Sequence, residues 1–301
     1  MIRDNGILLE SGTNELEIVE FIIGSNKFGI NVIKVKEIIL PVPVLQIPHS
    51  HKYVKGIIEL RGEILPVVNL VEAIGFAPSS QNETDKFIVT EFNQQKFVFH
   101  VQNVTQIHRI SWEQIEKPSS SYQGQTGELT GIVKIENEII MLLDFEKIIT
   151  EINLDLGINK NRIKAVNKRD RSNIKVIVAE DSPLLRKLLH ETLIEAGIKH
   201  IHFFENGLEV LHYLDDLSSK GRNVKEDVQL IITDIEMPQM DGHHLTLNIK
   251  KHPERSNIPV ILFSSLITDD LRHKGEKVGA DAQVSKPDIE KLIEMIDTYI
   301  K

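Results

Sequence analysis

Cysteine is absent from all 301 residues. A disulfide framework and a thiolate metal site are therefore excluded, and the absence fits a reducing compartment. Long apolar runs are missing as well. The longest, around Ile139 to Leu143, stops at Asp144, far short of the roughly 18 residues that a membrane span requires. The first residues, MIRDNGILLESG, offer no basic segment ahead of an apolar one, so no secretory signal is expected. A cytoplasmic location without direct membrane insertion is the expectation. Positive charge is also short, since 35 basic against 44 acidic side chains leave a net charge of −9. That balance argues against nucleic acid, whose phosphates need a basic face. What remains is ordinary for soluble globular protein, 41% apolar and 26% charged, and the length suggests two domains.

The charge is unevenly spread. Residues 1–150 carry 13 basic and 19 acidic side chains and residues 174–301 carry 16 and 22, which is −6 in each case. Residues 151–173 carry 6 and 3, a balance of +3. A basic stretch, polar from Asn159 to Asn173, thus separates two acidic halves, as an exposed linker does. A helix end with a solvated face is the alternative. The expected division is one domain over 10–150, a linker over 151–173 that contains Lys160, Arg162, Lys164, Lys168, Arg169 and Arg171, and a second domain over 174–301.

The first half contains an internal repeat. GIIELRGEILPVVNLVEAI from Gly56 aligns without a gap on GIVKIENEIIMLLDFEKII from Gly131, and KFGINVIKVKEI from Lys27 resembles KFVFHVQNVTQI from Lys96. Two similar units imply an architecture built twice. Residues 17–23 and 86–92 are rich in β-formers, with polar turns after them at Ser25–Asn26–Lys27 and Asn93–Gln94–Gln95. Arg61–Gly62–Glu63 and Glu136–Asn137–Glu138 sit between apolar runs, as hairpin turns do. A short helix is expected from Ile33 to Leu40, ended by Pro41 and Pro43. The pattern predicts two small β-barrel-like subdomains packed together, with a groove between them. His49, His51, His100 and His108 lack the spacing of a metal site, and no serine has a nucleophile's context. A binding module fits better than a catalytic one.

The run VIKVKEIILPVPVLQIPHSHKYVKGIIELRGEILPVVNL resembles the CheW-type coupling domain of bacterial chemotaxis, over about residues 10–150 and most specifically from Val54 to Leu70. The resemblance implies an all-β pair of five-stranded barrels that bridges chemoreceptor cytoplasmic tips and the chemotaxis histidine kinase. Glu37 in VKEI and Arg61 in LRGEILP match positions that the family uses on its kinase-facing side. A structural ion pair between them is the plainer reading, and the two are compatible.

From Ile174 the pattern changes to short apolar strands alternating with helical stretches, the mark of βαβ units and a parallel sheet. Strands are expected over 174–179, 200–204, 228–233, 259–263 and 282–284, and Pro183 suits a helix start. In such sheets, sites form beyond the carboxyl ends of the strands. Glu180 and Asp181 follow the first strand, Asp234 the third, and Lys286 with Pro287 the fifth, while Ser264 ends the fourth. A lone strand-end aspartate is usually a helix cap. The set, however, suits phosphoryl transfer to a carboxylate, with Asp234 as acceptor. The incoming group is negative and three carboxylates already crowd the site, so a divalent cation is needed. Hard oxygens from Glu180, Asp181 and Asp234, with the backbone carbonyl of Glu236, suit Mg2+. Lys286 supplies a fixed ammonium for the phosphoryl group, and the Ser264 hydroxyl can donate to it.

The motifs VIVAEDSPLLR, IITDIEMPQMDG, ILFSS and VSKP resemble the CheY-like receiver family from Ile174 to Lys301. That resemblance implies a doubly wound, flavodoxin-like parallel sheet of five strands. Two departures stand out. Glu180 replaces the aspartate of many members and keeps the charge. Gln283 stands where many receivers have an aromatic that swings inward on phosphorylation, which puts the usual serine–aromatic switch in doubt. His200, His202, His243 and His244 are expected in ordinary surface or strand roles.

A coupling domain fused to a receiver resembles the CheV-type family over nearly the whole chain. It implies an adaptor, not an enzyme, recruited to chemoreceptor arrays at the inner face of the membrane and adjusted by phosphorylation as an adaptation device. No DNA-binding segment follows residue 301, which argues against a transcription regulator. A phosphate sink localised by its coupling domain is the alternative. A phosphohydrolase using an aspartyl-phosphate is opposed by Glu236, which stands where such enzymes usually carry a second aspartate.

Overall fold

A computed structural model describes residues 14–77, 83–92, 95–118, 129–152, 170–265 and 267–300. The chain divides into two compact units. In the β-rich unit, runs of Val, Ile and Phe form β1 (Glu15–Ile23), β2 (Asn26–Asn31), β3 (Val35–Ile39), β4 (Val54–Leu60), β5 (Glu63–Asn69), β6 (Lys86–Phe92) and β7 (Gln95–Val101). They continue with β8 (Asn103–Ser111), β9 (Ile115–Glu116), β10 (Leu129–Ile135) and β11 (Glu138–Leu143), and two short helices follow hairpins, α1 (Leu70–Ala73) and α2 (Phe145–Ile152). The strands make a six-stranded sheet, β8-β1-β2-β11-β10-β9, and a five-stranded one, β3-β6-β7-β5-β4.

Each sheet draws one hairpin from each copy of the repeat. The first joins β1–β2 to β10–β11, and the second joins β6–β7 to β4–β5. The two junctions are equivalent parallel pairings, Gly29 with Leu142 in one and Val98 with Val67 in the other. Repeat mates clip them at the same point: Lys27 pairs with Glu138, and Lys96 with Glu63 at 2.5 Å. These pairs are exposed, so they define register more than they stabilise. In the turn between β4 and β5, Arg61 and Gly62 have φ of 52° and 83°, the positive values that a tight hairpin requires at both central residues. The second sheet curls on itself. Leu45, in the stretch after β3, exchanges two backbone hydrogen bonds of 2.9 Å with Ile57 of β4, the opposite edge.

Phe145 ties the two sheets together. Its ring lies 6.4 Å from Phe21 of the first sheet and 4.9 and 6.1 Å from Phe99 and Phe92 of the second. Aromatic pairs at such distances add to the area they bury. The expected helix at Ile33–Leu40 does not form. Val32–Lys34 makes one 3-10 turn, and Val35–Ile39 is β3, antiparallel to β6 with Ile38 opposite Ile88. Three of those five residues are β-branched, which favours the pleated form, and the exposed edge of β6 offers the hydrogen bonds. Asn93 and Gln94, expected in a turn, lie outside the described residues.

The α/β unit alternates β12 (Lys175–Ala179), α3 (Pro183–Glu195), β13 (His200–Phe204), α4 (Gly207–Ser219), α5 (Val224–Asp227), β14 (Leu230–Thr233), α6 (Gly242–Lys251), β15 (Val260–Ser264), α7 (Asp269–Val278), β16 (Ala282–Ser285) and α8 (Ile289–Tyr299). The sheet order is β13-β12-β14-β15-β16, and every pairing is parallel. Both faces are covered. Leu185, Leu189 and Leu193 of α3, with Leu292 and Ile296 of α8, pack on Val176, Val178 and Ile232. Val210 and Leu214 of α4, with Leu245 and Ile249 of α6, pack on Ile177, Ile231 and Val260. Consecutive strand residues therefore meet opposite cores, which is why the strands read as unbroken apolar runs. Ser182 caps α3 just before Pro183, Asp241 caps α6 and Thr268 caps α7.

Two expectations fail here for physical reasons. Lys160, Arg162, Lys164, Lys168 and Arg169 lie outside the described residues, but Arg171 is no exposed linker residue. It is 2% exposed, its guanidinium grips the Asp297 carboxylate at 2.7 and 2.6 Å, and it donates to the Ala196 carbonyl at 2.8 Å. A planar fork facing two carboxylate oxygens is the strong geometry for this pair. His243 is not a surface residue either but lies fully buried in α6. Burial pushes its imidazole down to about 4, with nearby Lys274 adding to the effect and Asp241 opposing it.

That depression predicts an acid limb in stability. The unfolded chain takes a proton on His243 near pH 6.5 and the folded one does not, so its contribution is whole above pH 6.5 and is lost as the pH falls toward 4. The loss is on the order of 3 kcal/mol at most. His243→Leu should flatten this limb when urea unfolding is compared between pH 7 and pH 4.5. An equally steep fall in the variant would contradict the assignment.

Candidate functional site

The order β13-β12-β14-β15-β16 reverses its winding between β12 and β14, and a crevice opens there at the carboxyl edge. Because β12 and β14 are neighbours with Ala179 opposite Thr233, Glu180 and Asp234 leave the sheet side by side. The Asp234 amide donates to the Ala179 carbonyl at 2.9 Å and carries the ladder one step further. On the other flank Ser264 pairs with Ser285, and the Lys286 amide donates to the Ser264 carbonyl at 3.0 Å. One sheet edge thus delivers the whole set.

Lys286 lies between two carboxylates. Its Nζ is 2.8 Å from Glu180 Oε2 and 2.8 Å from Asp234 Oδ2, and the three side chains are only 3%, 2% and 4% exposed. The other oxygens are held by backbone: Ile235 N–H donates to Asp234 Oδ1 at 2.6 Å, and Ser182 N–H to Glu180 Oε1 at 3.2 Å. Asp181 is half-buried, and one oxygen from each of Glu180, Asp181 and Asp234 lies within 4.8 Å of the others. Three carboxylates against one ammonium leave the cluster formally short of two positive charges. An all-oxygen donor set with that deficit fits a hard divalent cation such as Mg2+. Glu236, the expected backbone ligand, follows on the same loop and is partly buried. Ser264 ends β15, 1% exposed.

Two residues inside the quoted motifs support the site without belonging to its charged set. Arg186 of α3 donates to the carbonyls of Glu180 and Asp181 at 2.8 and 3.2 Å and to Glu205 at 2.9 Å, which fixes the turn carrying both acids. Gly242 supports the end of β14. Its N–H donates to the Ile235 carbonyl at 2.9 Å, and a Cβ there would stand 1.9 Å from the Asp234 carbonyl oxygen.

In the β-rich unit, Arg61 meets Glu37 at 2.8 Å, with the Arg61 side chain 79% exposed. Leu40, Leu45 and Ile64 of the same sheet region are exposed as well, at 68%, 69% and 70%. Two of the histidines there serve structure. His100 bonds buried Asp85 at 2.8 Å, and burial lowers its pKa against the pull of that carboxylate. His108 bonds buried Glu20 at 2.7 Å. Burial works to raise the Glu20 pKa, but hydrogen bonds from Thr105, His108 and Lys27 outweigh it and hold it below the usual value.

Comparison with known proteins follows the same division. The CheW-like domain family matches residues 17–153, and the response regulator receiver domain family matches residues 176–297. The chain is 35% identical over 302 residues to chemotaxis protein CheV3 of Helicobacter pylori, covering 95% of each chain. It is 24% identical to chemotaxis protein CheV1 of the same organism, covering 96% of this chain and 94% of that one. Among solved structures, the scaffolding protein TtCheW from Thermoanaerobacter tengcongensis is similar over 43% of this chain and 84% of its own, at 27% identity and a TM-score of 0.41.

The geometry at Gly242 makes a direct prediction. Gly242→Ala must push the backbone of Asp234 or of α6 aside, and overpacking of this kind costs about 1–3 kcal/mol. Urea unfolding should report that loss. A variant as stable as the native protein would mean that the contact is looser than 1.9 Å implies.

Proposed function

The chain belongs to the CheV family of chemotaxis proteins, a CheW-like domain followed by a response regulator receiver domain, and we propose that it is an adaptor that couples chemoreceptors to a histidine kinase and is adjusted by phosphorylation of Asp234. The observation that carries the reading is the Lys286 ammonium, buried 2.8 Å from both Glu180 and Asp234. A buried cluster of like charges with one cation is costly unless it has a task. In this proposal the coupling domain spans residues 10–150, the linker 151–173 and the receiver 174–301. The protein works in the cytoplasm, recruited to receptor arrays at the inner face of the membrane. No described helix is long and apolar enough to cross a membrane.

The residues support one sequence of events. An Asp234 oxygen attacks the phosphorus of the kinase phosphohistidine. The new P–O bond forms as the P–N bond breaks, and the histidine nitrogen keeps the electron pair. Mg2+, held by Glu180, Asp181, Asp234 and the Glu236 carbonyl, would offset the repulsion between phosphoryl oxygens and the acids. Lys286 turns its ammonium from the carboxylates to a phosphoryl oxygen, and the Ser264 hydroxyl donates to another. A phosphoryl group of about −1.5 to −2 charges replaces the single charge of the carboxylate, so the sheet edge gains up to about one negative charge near neutral pH. In the coupling domain, Glu37 and Arg61 form the kinase-facing contact. The exposed Leu40, Leu45 and Ile64 of the same domain support this, because large exposed apolar side chains suit a protein interface.

Phosphotransfer from a labelled kinase tests the receiver half. The native protein should take label on one residue and only with a divalent cation present. Asp234→Asn should take none, and chelation should abolish labelling of the native chain. Labelling of the variant at the native rate would sink the acceptor assignment.

A further inference from the structure

Helix α7 is held by polar contacts that are only half complete. On one flank, Gln283 of β16 donates from Nε2 to the Arg272 carbonyl at 2.8 Å. A Cβ on Gly275 would stand 2.5 to 2.7 Å from the amide atoms of Gln283, so the amide lies flat on the helix backbone where only glycine leaves room. Its Oε1 is buried without a hydrogen-bond partner. On the other flank, the His243 ring hydrogen-bonds the backbone of Leu271, and its Nε2 is likewise buried without a partner. Buried polar atoms are nearly always paired, and each exception calls for an explanation. Here two exceptions border the same helix.

The apolar hold on α7 is thin. Of its ten residues, Leu271 and Val278 are the buried apolar side chains. Both ends of the attachment lead to the acceptor site. The cap Thr268 lies four residues beyond Ser264. Gln283 sits opposite Leu262 on β15, three residues before Lys286. An element with few apolar anchors and incomplete polar ones belongs to the low-stability end of a structure, where moving parts are drawn from.

We propose that Gln283 is a catch that seats α7 in the unphosphorylated protein, and that phosphorylation of Asp234 releases it. Drawing Lys286 and Ser264 toward the phosphoryl group shifts the end of β16, and the Gln283 amide leaves the Arg272 carbonyl. The helix, with Leu271 and Val278 as its buried apolar anchors, then loosens. A side-chain amide bonded to helix backbone thus does the work of a rotating ring. This inference rests on Asp234 as phosphoryl acceptor.

Hydrogen exchange on the full chain tests it, with Mg2+ and with or without beryllofluoride as the phosphoryl probe. In the native protein the probe should speed exchange over 269–279 about tenfold, the scale of one lost hydrogen bond. Gln283→Leu should show that faster exchange without the probe and gain little from it, yet still take label from the kinase. A second test is a cycle of Gly275→Ala and Gln283→Ala. The alanine at 275 should lower the melting temperature alone and be tolerated once Gln283 is truncated, because the clash is with that side chain. Label without any change in α7, native behaviour in Gln283→Leu, or additive effects in the cycle would each overturn the catch. Absence of label from the native chain would overturn the acceptor reading and the catch with it.

Discussion

The carboxylates of Glu180 and Asp234 share one end of a parallel sheet because the Lys286 ammonium lies 2.8 Å from each. An isolated charge at such depth costs several kcal/mol even after the protein relaxes, so the α/β unit has to bring three distant segments to one point. The strand order does this. Setting β14 beside β12 aligns the acids, and setting β16 beside β15 delivers the lysine next to Ser264. Gly242 and the Ile235 amide then fix the Asp234 backbone and one of its carboxylate oxygens. The cluster remains formally short of positive charge, a deficit that fits a hard divalent cation.

The β-rich unit solves a different problem. Each copy of its repeat gives one hairpin to each sheet, so neither sheet can close until both copies are made. Phe145 fills the space where Phe21 approaches Phe92 and Phe99, and a chain with 5% aromatic residues spends many of them here. A rigid, doubly anchored unit keeps a contact surface in register. The repeat also leaves mates exposed at the same place, Ile64 at 70% and Ile139 at 55%. Free apolar surface of that kind suits association with other proteins.

The gathering of the polar cluster was legible in the sequence because residues that end neighbouring parallel strands must meet, and Glu180, Asp181, Asp234, Ser264 and Lys286 all reach one edge. The repeat was legible too, but its exchange was not. Aligned copies say that two hairpins recur and are silent on which pair with which. Ile33–Leu40 was misjudged as helix because the prolines after it stop helices and edge strands alike, and the deciding partner, β6, lies about fifty residues on. Arg171 was hidden in a basic run of ordinary linker composition. Its fate depends on Asp297, 126 residues away. For Gln283 the sequence marked a missing aromatic, while the contact with Arg272 and Gly275 depends on how α7 packs.

Kinase output in reconstituted arrays of receptor, histidine kinase and this protein tests the central claim most directly. Native protein and Asp234→Asn are compared with and without a small phosphodonor. Both should enter the arrays equally, because the proposed coupling surface lies in the CheW-like domain and the substitution in the receiver domain. Phosphodonor should change kinase output with the native protein and leave it unchanged with the variant. An equal response from both proteins, or none from the native one, would contradict an adaptor adjusted through Asp234.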